Sequence, residues 1–444
     1  MLLWCERAWL GGPTADPGVV VAVEGERITA VRTGVDRPPP GSMVLPGLTL
    51  PGLANAHSHA FQRVLRGRAQ RERGSFWAWR EAMYRVVDQL DPDRLHRIAR
   101  AAYGEMVLAG MTCVGEFHYV HHDHGGVPYA DPQAMGDALV AAADDAGIRL
   151  TLIDTCYLRG GFDRPLEGAQ RRFGDGSVEA WAARAGRRAD GPRSRVAAGI
   201  HSVRALDPDA MAVVARWARE RSTVVHVHLS EQPAENDACR AAYGCTPTAL
   251  LGQAGVLEVG GRLTAVHATH LEPDDVKALG AAGTTICLCP TTERDLADGI
   301  GPSGALAEAG CPLAVGSDSQ AVIDLLAEAR EVELHQRLAT GQRGVHPTTA
   351  LLEAATAAGH RSLGWPEGGR IAPDAPADLV TVRLDSVRLA GSQPDDVLDA
   401  VVYAGTAGDV AQVMVGGRFV VRDGRHADLD VAAELAALPT LAGS

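Results

Sequence analysis

Eight short apolar runs, separated by helical segments, constrain the fold of this chain more than any other feature. One run leads into residues 53–59, and the others cover 114–120, 149–158, 195–203, 223–231, 263–271, 284–292 and 312–320. The segments between most of them are rich in Ala, Arg, Glu and Leu, as in 92–110 and 208–222. Strands that alternate with helices form parallel sheets, and eight such units close into a barrel. We therefore predict an α/β fold with a (β/α)8 TIM-like barrel.

Both ends of the chain have a different pattern. Residues 1–50 and the segments 377–386 and 401–424 contain β-branched runs that are broken by Gly and Asp-Gly turns. Such runs are typical of short strands. We predict that the two ends pair into a small β-sandwich domain, formed by residues 1–50 with 370–444, and that residues 51–369 form the barrel domain.

Polar side chains gather at the C-terminal ends of the predicted barrel strands. They are His57, His59, Glu116, His118, His201, Arg204, His226, His228, Glu231, His267, His270 and Asp318. Active sites of such barrels lie at this face. The distribution therefore predicts an active site assembled from several strand ends.

The first of these groups is the pair His57-Ser58-His59. Side chains two apart on a strand point to the same face, so both imidazoles would project together. Imidazole and carboxylate groups are ligands of Zn²⁺. An H-x-H pair alone is a weak signal. One later histidine and the late Asp318 would complete a site for one metal with a position left for water, which becomes a nucleophile when its pKa falls.

Charge and composition exclude several classes of partner. The formal net charge is −13, and no Lys/Arg run resembles a nucleic-acid or membrane patch. No apolar run approaches the length of a membrane span, and the N-terminus lacks the pattern of a signal peptide. We therefore expect a cytoplasmic protein with neither nucleic-acid nor membrane partners. An anionic substrate would need specific arginines to capture it, because an acidic protein repels anions in general.

The eight cysteines are scattered and do not resemble a disulfide framework. Cys287 and Cys289 form a C-x-C pair, which raises the question of a thiolate metal site. A tetrahedral thiolate site needs further ligands, and no second cysteine pair is present. We interpret the pair as alternate residues of a buried strand.

Several segments together resemble a known superfamily. LPGLANAHSH, HVHLSE, VHATH and GSDSQ resemble the mononuclear-zinc deaminase branch of the amidohydrolase superfamily, and the resemblance covers nearly the whole chain. NAHSHAFQR, SFWAWREAMYR, EFHYVHHD, HSVRA, HLSEQ and CPTTERDLADG further resemble the formimidoylglutamate deiminase family. Its members hydrolyse N-formimidoyl-L-glutamate to N-formyl-L-glutamate and ammonia in histidine degradation.

The resemblance implies roles for individual residues. It implies one Zn²⁺ per subunit, bound by His57, His59, His228 and Asp318. Glu231 would carry protons, as general acid/base chemistry requires. His267 would orient the water and the imino group, and Asp318 would also accept a proton from the water.

The resemblance also implies how the substrate, a small dicarboxylate, is held. Gln62, Arg80, Tyr119 and Arg204 would bind its glutamate part. Guanidinium groups bind carboxylates in a bidentate manner, which agrees with the two arginines. Arg85 is an alternative to Arg80. The resemblance further implies a homodimer.

Two departures from related enzymes narrow the predicted number of metal ions and the predicted substrate. The run AAGIHSVRAL carries no lysine at the end of the fourth strand, where binuclear relatives have a carboxylated lysine, so one metal is expected. Purine and triazine deaminases of this branch often show CP-x-S-N after the seventh strand, whereas this chain has Cys289-Pro290-Thr291-Thr292.

Some residues and functions have alternative interpretations. We interpret His118, His121, His122 and His124 as a loop that lines the pocket, not a second metal site, and His226 and His270 as structural or supporting residues. Phe76, Trp77 and Trp79 are interpreted as packing anchors of a lid-like segment within 60–90, not as an aromatic cage. The alternative activity is another deaminase of the superfamily that acts on a guanidine, pterin or nucleobase. A non-catalytic binding or scaffold protein is disfavoured because the ligand set is complete.

Overall fold

The computed structural model describes residues 1–68 and 76–438, with side chains from Trp79 onward in the second range. The strands are β1 (Leu2–Ala8), β2 (Asp16–Glu24), β3 (Arg27–Arg32), β4 (Met43–Pro51), β5 (Leu53–Ser58), β6 (Met111–His118), β7 (Arg149–Cys156), β8 (Ser194–Ile200), β9 (Val225–Leu229), β10 (Leu263–His267), β11 (Thr285–Leu288), β12 (Leu313–Val315), β13 (Leu379–Val382), β14 (Val410–Val415), β15 (Arg418–Arg422) and β16 (Arg425–His426). They form two sheets of eight strands each.

The α-helices cover most of the remaining chain. They are α1 (Phe76–Val87), α2 (Pro92–Leu108), α3 (Ala134–Ala146), α4 (Val178–Ala185), α5 (Pro208–Arg221), α6 (Pro233–Tyr243), α7 (Pro247–Gln253), α8 (Pro273–Ala281), α9 (Pro290–Asp295), α10 (Ser303–Glu308), α11 (Leu325–Thr340), α12 (Thr348–Glu353), α13 (Gly359–Ser362), α14 (Val397–Ala404) and α15 (Val431–Ala436). Short 3-10 turns, such as Ala60–Leu65, lie between them.

The middle of the chain forms the predicted barrel. Strands β5 to β12 pair in chain order, and every pair is parallel. Their side chains are almost all buried, as expected for strands that have helices on one face and a packed interior on the other. All eight predicted barrel strands are thus confirmed.

A seam between the first and last strands closes the barrel. Asp318 N donates to the carbonyl of His57 at 3.0 Å, and His59 N donates to the carbonyl of Asp318 at 3.1 Å. Gly316 permits this approach, because a Cβ there would lie 2.8 Å from the carbonyl oxygen of His57. The seam brings the ends of two strands that are far apart in sequence into direct contact.

The predicted helices 92–110 and 208–222 are confirmed as α2 and α5. Each begins at an Asp-Pro step, in which the aspartate side chain accepts a hydrogen bond from a backbone N–H of the first turn. Proline at the first helical position lacks an N–H that would have no partner in the helix, so the step is a favourable start. The start of α5 lies directly after the loop that follows β8 and therefore fixes the length of that loop, whereas α2 follows α1.

The chain termini form the other sheet, in the order β16-β15-β14-β13-β4-β1-β2-β3. Hydrogen bonding is continuous across all eight strands. The edge strand β3 then returns towards the segment before β13, since Ile28 N donates to the carbonyl of Ala375 at 2.9 Å. The returning sheet encloses a small core of its own, which includes Leu3, Val21 and Met414.

One predicted strand is wrong. The run that begins at Val401 belongs to α14 and not to the sheet. Val397, Leu398, Val401 and Val402 are buried, and their spacing of one and four residues matches one helix face. β-branched composition therefore favoured a strand, but the periodicity and packing of this segment favour a helix.

None of the helices in residues 1–68 and 76–438 combines the length and the apolar character needed to cross a bilayer.

Candidate active site

Four side chains converge where the barrel closes. His57 Nε2 lies 3.1 Å from His228 Nε2 and 3.4 Å from Asp318 Oδ1. His59 Nε2 lies 3.5 Å from the same Asp318 oxygen. All four side chains are at most 7 % exposed. The strand-end pattern in the sequence therefore corresponds to one compact group in the structure.

Backbone carbonyls orient two of these imidazoles. His59 Nδ1 lies 3.0 Å from the carbonyl of Phe117, and His228 Nδ1 lies 2.9 Å from the carbonyl of His201. An Nδ1–H that donates to a carbonyl leaves Nε2 as the lone-pair atom, which is how proteins prepare a histidine to bind a metal. Burial lowers the pKa of His57 and His228, and burial together with His57 lowers that of His59 to about 3. The three rings are therefore neutral, as metal ligation requires.

The group fits a divalent cation. A tetrahedral ion with ligand bonds of about 2.0–2.1 Å separates its ligand atoms by roughly 3.3 Å, close to the three distances given above. The Nε2 atoms of His57 and His228 face each other at 3.1 Å, a separation that two ligands of one tetrahedral cation would have. The donor set, three nitrogens and one carboxylate oxygen, is one that zinc and other divalent ions accept.

A hydrogen-bond network behind the seam holds the H-x-H segment in place. The Ser58 hydroxyl donates to Glu116 Oε2 at 2.8 Å, and Ala60 N donates to Glu116 Oε1 at 2.8 Å. Gln320 Nε2 donates to the Ser58 hydroxyl at 2.9 Å. Glu116 therefore bonds on both sides of His59 and restrains its position.

Glu231 and His267 lie beside the ligand group. His267 Nε2 is 3.8 Å from both Glu231 Oε1 and Asp318 Oδ2, and its Nδ1 is 3.4 Å from Glu293 Oε1. Burial opposes the charged imidazolium, but the three carboxylates outweigh it and raise the pKa of His267. Burial raises the pKa of Glu231, against the effects of His267 and Arg204. This arrangement provides a proton carrier and a hydrogen-bond donor on one side of the centre.

The backbone is strained at the same positions. Ser230, His267 and Asp318 have φ values of +49°, +68° and +43°. Non-glycine residues adopt this left-handed region at a cost of about 1–3 kcal/mol, and such residues cluster at functional sites. At each of these positions the chain turns away from the barrel strand that precedes it.

A cavity lies directly above this centre. Nine of the ten predicted site residues line it, and the tenth, His57, is fully buried. The nine are His59, Gln62, Arg80, Tyr119, Arg204, His228, Glu231, His267 and Asp318. The structure therefore brings all the predicted site residues to one place.

Two arginines contribute to the wall of the cavity. Arg204 is anchored by Glu235, whose Oε2 accepts from Arg204 Nε at 2.6 Å. Arg80 lies on the face of α1 that also carries Met83 and Tyr84, and all three line the cavity. Arg85 is exposed and does not line it, because five residues turn a helix by about 140° from that face. The geometry therefore favours Arg80 over Arg85 as a substrate contact.

Gln62 and Tyr119 also line the cavity. Gln62 is 2 % exposed, and its Nε2 donates to the Tyr119 hydroxyl at 3.4 Å. Its Oε1 has no hydrogen-bond partner among the described residues. A buried acceptor of this kind is expected to bond to a ligand or to water.

Sequence reasoning missed several residues of the cavity, of which Tyr157 and His201 lie in the chain's strand-end loops. Their rings are 4.3 Å apart, and the His201 ring is 5.1 Å from that of His228. The carbonyl of His201 is also the group that orients His228. Both residues directly follow a barrel strand. A search for polar residues at the strand ends would therefore have found Tyr157. The same search did find His201, but the sequence analysis gave this histidine no role.

The prediction that the histidine-rich loop lines the pocket is wrong. His118, His121 and His122 are buried away from the cavity and do not line it. His122 Nε2 lies 3.1 Å from Asp175 Oδ1, and His121 Nε2 lies 2.9 Å from the carbonyl of Thr155. The carboxylate partner comes from a segment about fifty residues away, which explains why it was not evident in the local sequence.

Two other histidines have supporting positions. His226 is fully buried and its Nε2 lies 2.9 Å from the carbonyl of Ser362. His270 Nε2 lies 2.7 Å from the carbonyl of Asp298. Neither belongs to the four-residue ligand group, so both occupy the supporting positions that the sequence indicated.

The aromatic residues of the segment around α1 were predicted to be packing anchors. Trp79 lines the cavity, so it is more than a packing anchor. The side chains of Phe76 and Trp77 and part of the 60–90 segment lie outside the described residues.

The C-x-C pair lies at the end of a buried strand. Cys287 lies in β11 as predicted, and Cys289 follows that strand, with its Sγ within 4.8 Å of ligand atoms of His267 and Asp318.

Comparisons with known proteins agree with this geometry. The model of the amidohydrolase family matches residues 48–420. A formimidoylglutamate deiminase from Pseudomonas aeruginosa is 40 % identical over 401 residues, which cover 87 % of each chain.

Solved structures are similar over almost the whole chain. An amidohydrolase from Brucella melitensis has a TM-score of 0.89 and 33 % identity, and covers 98 % of both chains. An adenosine deaminase from Xanthomonas campestris with bound zinc has a TM-score of 0.84 and 25 % identity, over 98 % of this chain and 96 % of its own. The match of the family model, the identity to the Pseudomonas enzyme and the position of the site at the strand ends agree, and the chain belongs to the amidohydrolase family.

Proposed function

We propose that this protein is a zinc-dependent formimidoylglutamate deiminase, which hydrolyses N-formimidoyl-L-glutamate to N-formyl-L-glutamate and ammonia. One observation carries the proposal: a single cavity lies above a group of three histidines and an aspartate, and two arginines line it. The group suits hydrolysis of a C–N bond, and the arginines suit a substrate with carboxylates. The relative from Pseudomonas aeruginosa supports the same activity.

The proposed metal ligands are His57, His59, His228 and Asp318. Their donor atoms suit zinc, and zinc is bound in the related adenosine deaminase from Xanthomonas campestris. When bound, a zinc ion at this position supplies Lewis acidity, which makes a neighbouring water a stronger acid and nucleophile.

The cavity wall would bind the glutamate part of the substrate. Arg80 and Arg204 offer guanidinium forks for its carboxylates, and Glu235 holds Arg204 in position. Gln62 and Tyr119 add an amide and a hydroxyl to the lining. Held in this way, the formimidoyl carbon would lie over the ligand group.

Glu231, His267 and Asp318 would handle the protons. Water adds to the formimidoyl carbon while Glu231 and Asp318 accept its protons. Glu231, whose raised pKa favours the protonated form, passes its proton to the imino nitrogen, and the proton accepted by Asp318 follows, so that the =NH group becomes NH3. The C–N bond then breaks and ammonia leaves. His267 donates a hydrogen bond from Nε2 and stabilises the negative charge that develops on the attacking oxygen.

Three further properties remain predictions from the resemblance and the sequence pattern. They are a cytoplasmic location, a homodimer, and the division into a terminal domain (1–50 with 370–444) and a catalytic barrel domain (51–369).

An assay of ammonia release tests the proposed function. We expect the zinc-loaded protein to release ammonia from N-formimidoyl-L-glutamate, to act more slowly on N-formimidoyl-L-aspartate, and to leave nucleobases unchanged. The aspartate analogue is one methylene shorter, so we expect its carboxylate to reach the cavity wall less well while its imino group lies over the ligand group. Release from a nucleobase but not from N-formimidoyl-L-glutamate would contradict the proposal.

Replacing Arg204 by methionine is expected to lower kcat/KM for N-formimidoyl-L-glutamate. Methionine keeps the length of the side chain but removes a charge-assisted hydrogen bond worth about 1.5–3 kcal/mol, so kcat/KM should fall roughly 10- to 150-fold. Steady-state kinetics measure this change, and Arg216→Met on the exposed face of α5 is the matched control. An Arg204→Met variant with normal kcat/KM would reject this residue as a substrate ligand.

A further inference from the structure

A second cavity adjoins the first. This outer chamber has a volume of about 330 Å³ and is bounded by Arg80, Arg164, Arg204 and Glu235, among others. Arg80 and Arg204 also line the first, inner cavity. The two cavities are therefore neighbours that share the side chains proposed to bind the substrate.

The inner cavity is small. Its volume is about 60 Å³, whereas small-molecule sites usually have roughly 300 Å³ or more. A linear dicarboxylate therefore needs more room than the inner cavity offers. The outer chamber provides that room on the side of Arg80 and Arg204, where the carboxylates are expected.

The outer chamber is positive although the protein is acidic. Its charged lining residues are three arginines and one glutamate, in a chain whose formal net charge is −13. The Glu235 carboxylate is already engaged, since it accepts from Arg204 Nε at 2.6 Å and from Ser230 N at 3.1 Å. The chamber therefore offers an attractive path to an anion that most of the surface repels.

A tight turn holds Arg164 at the rim of this chamber. Gly160 N donates to the carbonyl of Arg164 at 3.0 Å, and Arg164 N donates to the carbonyl of Gly161 at 3.2 Å. A Cβ at Gly160 would lie 2.4 Å from the carbonyl oxygen of Pro165, so this position requires glycine. The stem of Arg164 lies beside Gly161, with its Cδ 3.7 Å from the position of a Cβ there.

The turn is also attached to the segment that carries Arg204. Leu158 N and Arg159 N both donate to the carbonyl of Ala205 at 3.0 Å. Arg159 is neutralised by Asp207, with Nη2 and Oδ2 2.6 Å apart. Arg164 is exposed, and none of the ion pairs found in residues 1–68 and 76–438 involves it. Its charge is therefore available at the rim.

We infer that Arg164 captures the substrate: it attracts a dicarboxylate into the outer chamber and binds the carboxylate that enters last. The inference rests on the proposed function for its substrate class. A charge at a rim acts mainly on association and is screened by salt, so Arg164 influences kcat/KM and leaves kcat almost unchanged. The three arginines would then bind the substrate in succession, from the rim to the inner cavity.

Steady-state kinetics of Arg164→Gln test the inference, with Arg216→Gln on the exposed face of α5 as the matched control. At low salt we expect Arg164→Gln to lower kcat/KM for N-formimidoyl-L-glutamate roughly five-fold, with kcat changed less than about two-fold. The difference should shrink at about 0.5 M salt. It should vanish for the diamide of the substrate, which has no carboxylates. Equal kcat/KM for the two variants at low salt would overturn the inference.

A binding measurement separates this inference from the proposed function. If the wild-type protein releases no ammonia, the proposed function fails, and calorimetry with glutarate then tests Arg164 alone. Weaker glutarate binding by Arg164→Gln than by Arg216→Gln supports the capture of dicarboxylates. Equal binding by the two variants overturns it.

Discussion

Replacing Glu231 by glutamine is expected to lower kcat for ammonia release about a thousand-fold, while the metal stays bound. General acid/base catalysis contributes roughly 10²- to 10⁴-fold, and glutamine keeps the size of the side chain but cannot carry a proton between water and nitrogen. Glu231 is 8 % exposed and lies beside His267, with 3.8 Å between their nearest polar atoms. The substitution therefore removes the proton carrier without opening a cavity.

Kinetics and metal analysis together make this prediction specific. Glu231 is outside the ligand group of three histidines and Asp318, so elemental analysis should find the same metal content as in the wild-type protein. Glu220→Gln, an exposed position on α5, is the matched control and should retain full activity. If Glu231→Gln kept an activity within ten-fold of wild type, Glu231 would not be the proton carrier. If the variant lost its metal, Glu231 would belong to the metal centre instead.

Removing the metal is expected to abolish activity and to lower the temperature of unfolding. Three neutral imidazoles and a carboxylate face one point at the barrel seam, and a ligand that binds only the folded state stabilises it. We expect dialysis against a chelator to stop ammonia release, and zinc to restore it. Calorimetric unfolding of the same samples should show the loss and recovery of stability independently of activity.

The variant His59→Ala extends this test to a single ligand. Changes in the groups that merely orient a metal ligand weaken metal binding 10- to 100-fold, so the loss of a ligand itself should weaken it by more than about 100-fold. His124→Ala, an exposed position in the loop after β6, is the control. If His59→Ala kept its metal as well as the wild-type protein during dialysis against buffer without chelator, His59 would not be a ligand.

Regular patterns in the sequence predicted the barrel and the position of the site. Each barrel strand is an apolar run that ends in polar residues, and parallel strands place all their C-terminal ends at one face. His57 and His59 are two residues apart, so the alternation of side chains along a strand places them together. These predictions depend on local periodicity, which a single sequence contains.

Local patterns in the sequence could not predict other features of the site. His226 and His228 have the same spacing as His57 and His59, so spacing alone does not show which of them reaches the ligand group. The structure separates them, because His226 contacts the carbonyl of Ser362 and His228 faces His57. Likewise, the partner of His122 is Asp175, and no local signal links them.

The alternation of strands and helices, the residues at the strand ends and the class of metal ligand could be predicted from the sequence, because periodicity and donor chemistry are local properties. The packed barrel sets which side of α1 faces the cavity with Arg80, how the seam at Gly316 brings Asp318 against the H-x-H segment, and that Arg164 shares a chamber with Arg204. Those features depend on distances between segments far apart in the chain. Such distances follow from the packing of the whole barrel, and no short stretch of sequence specifies them.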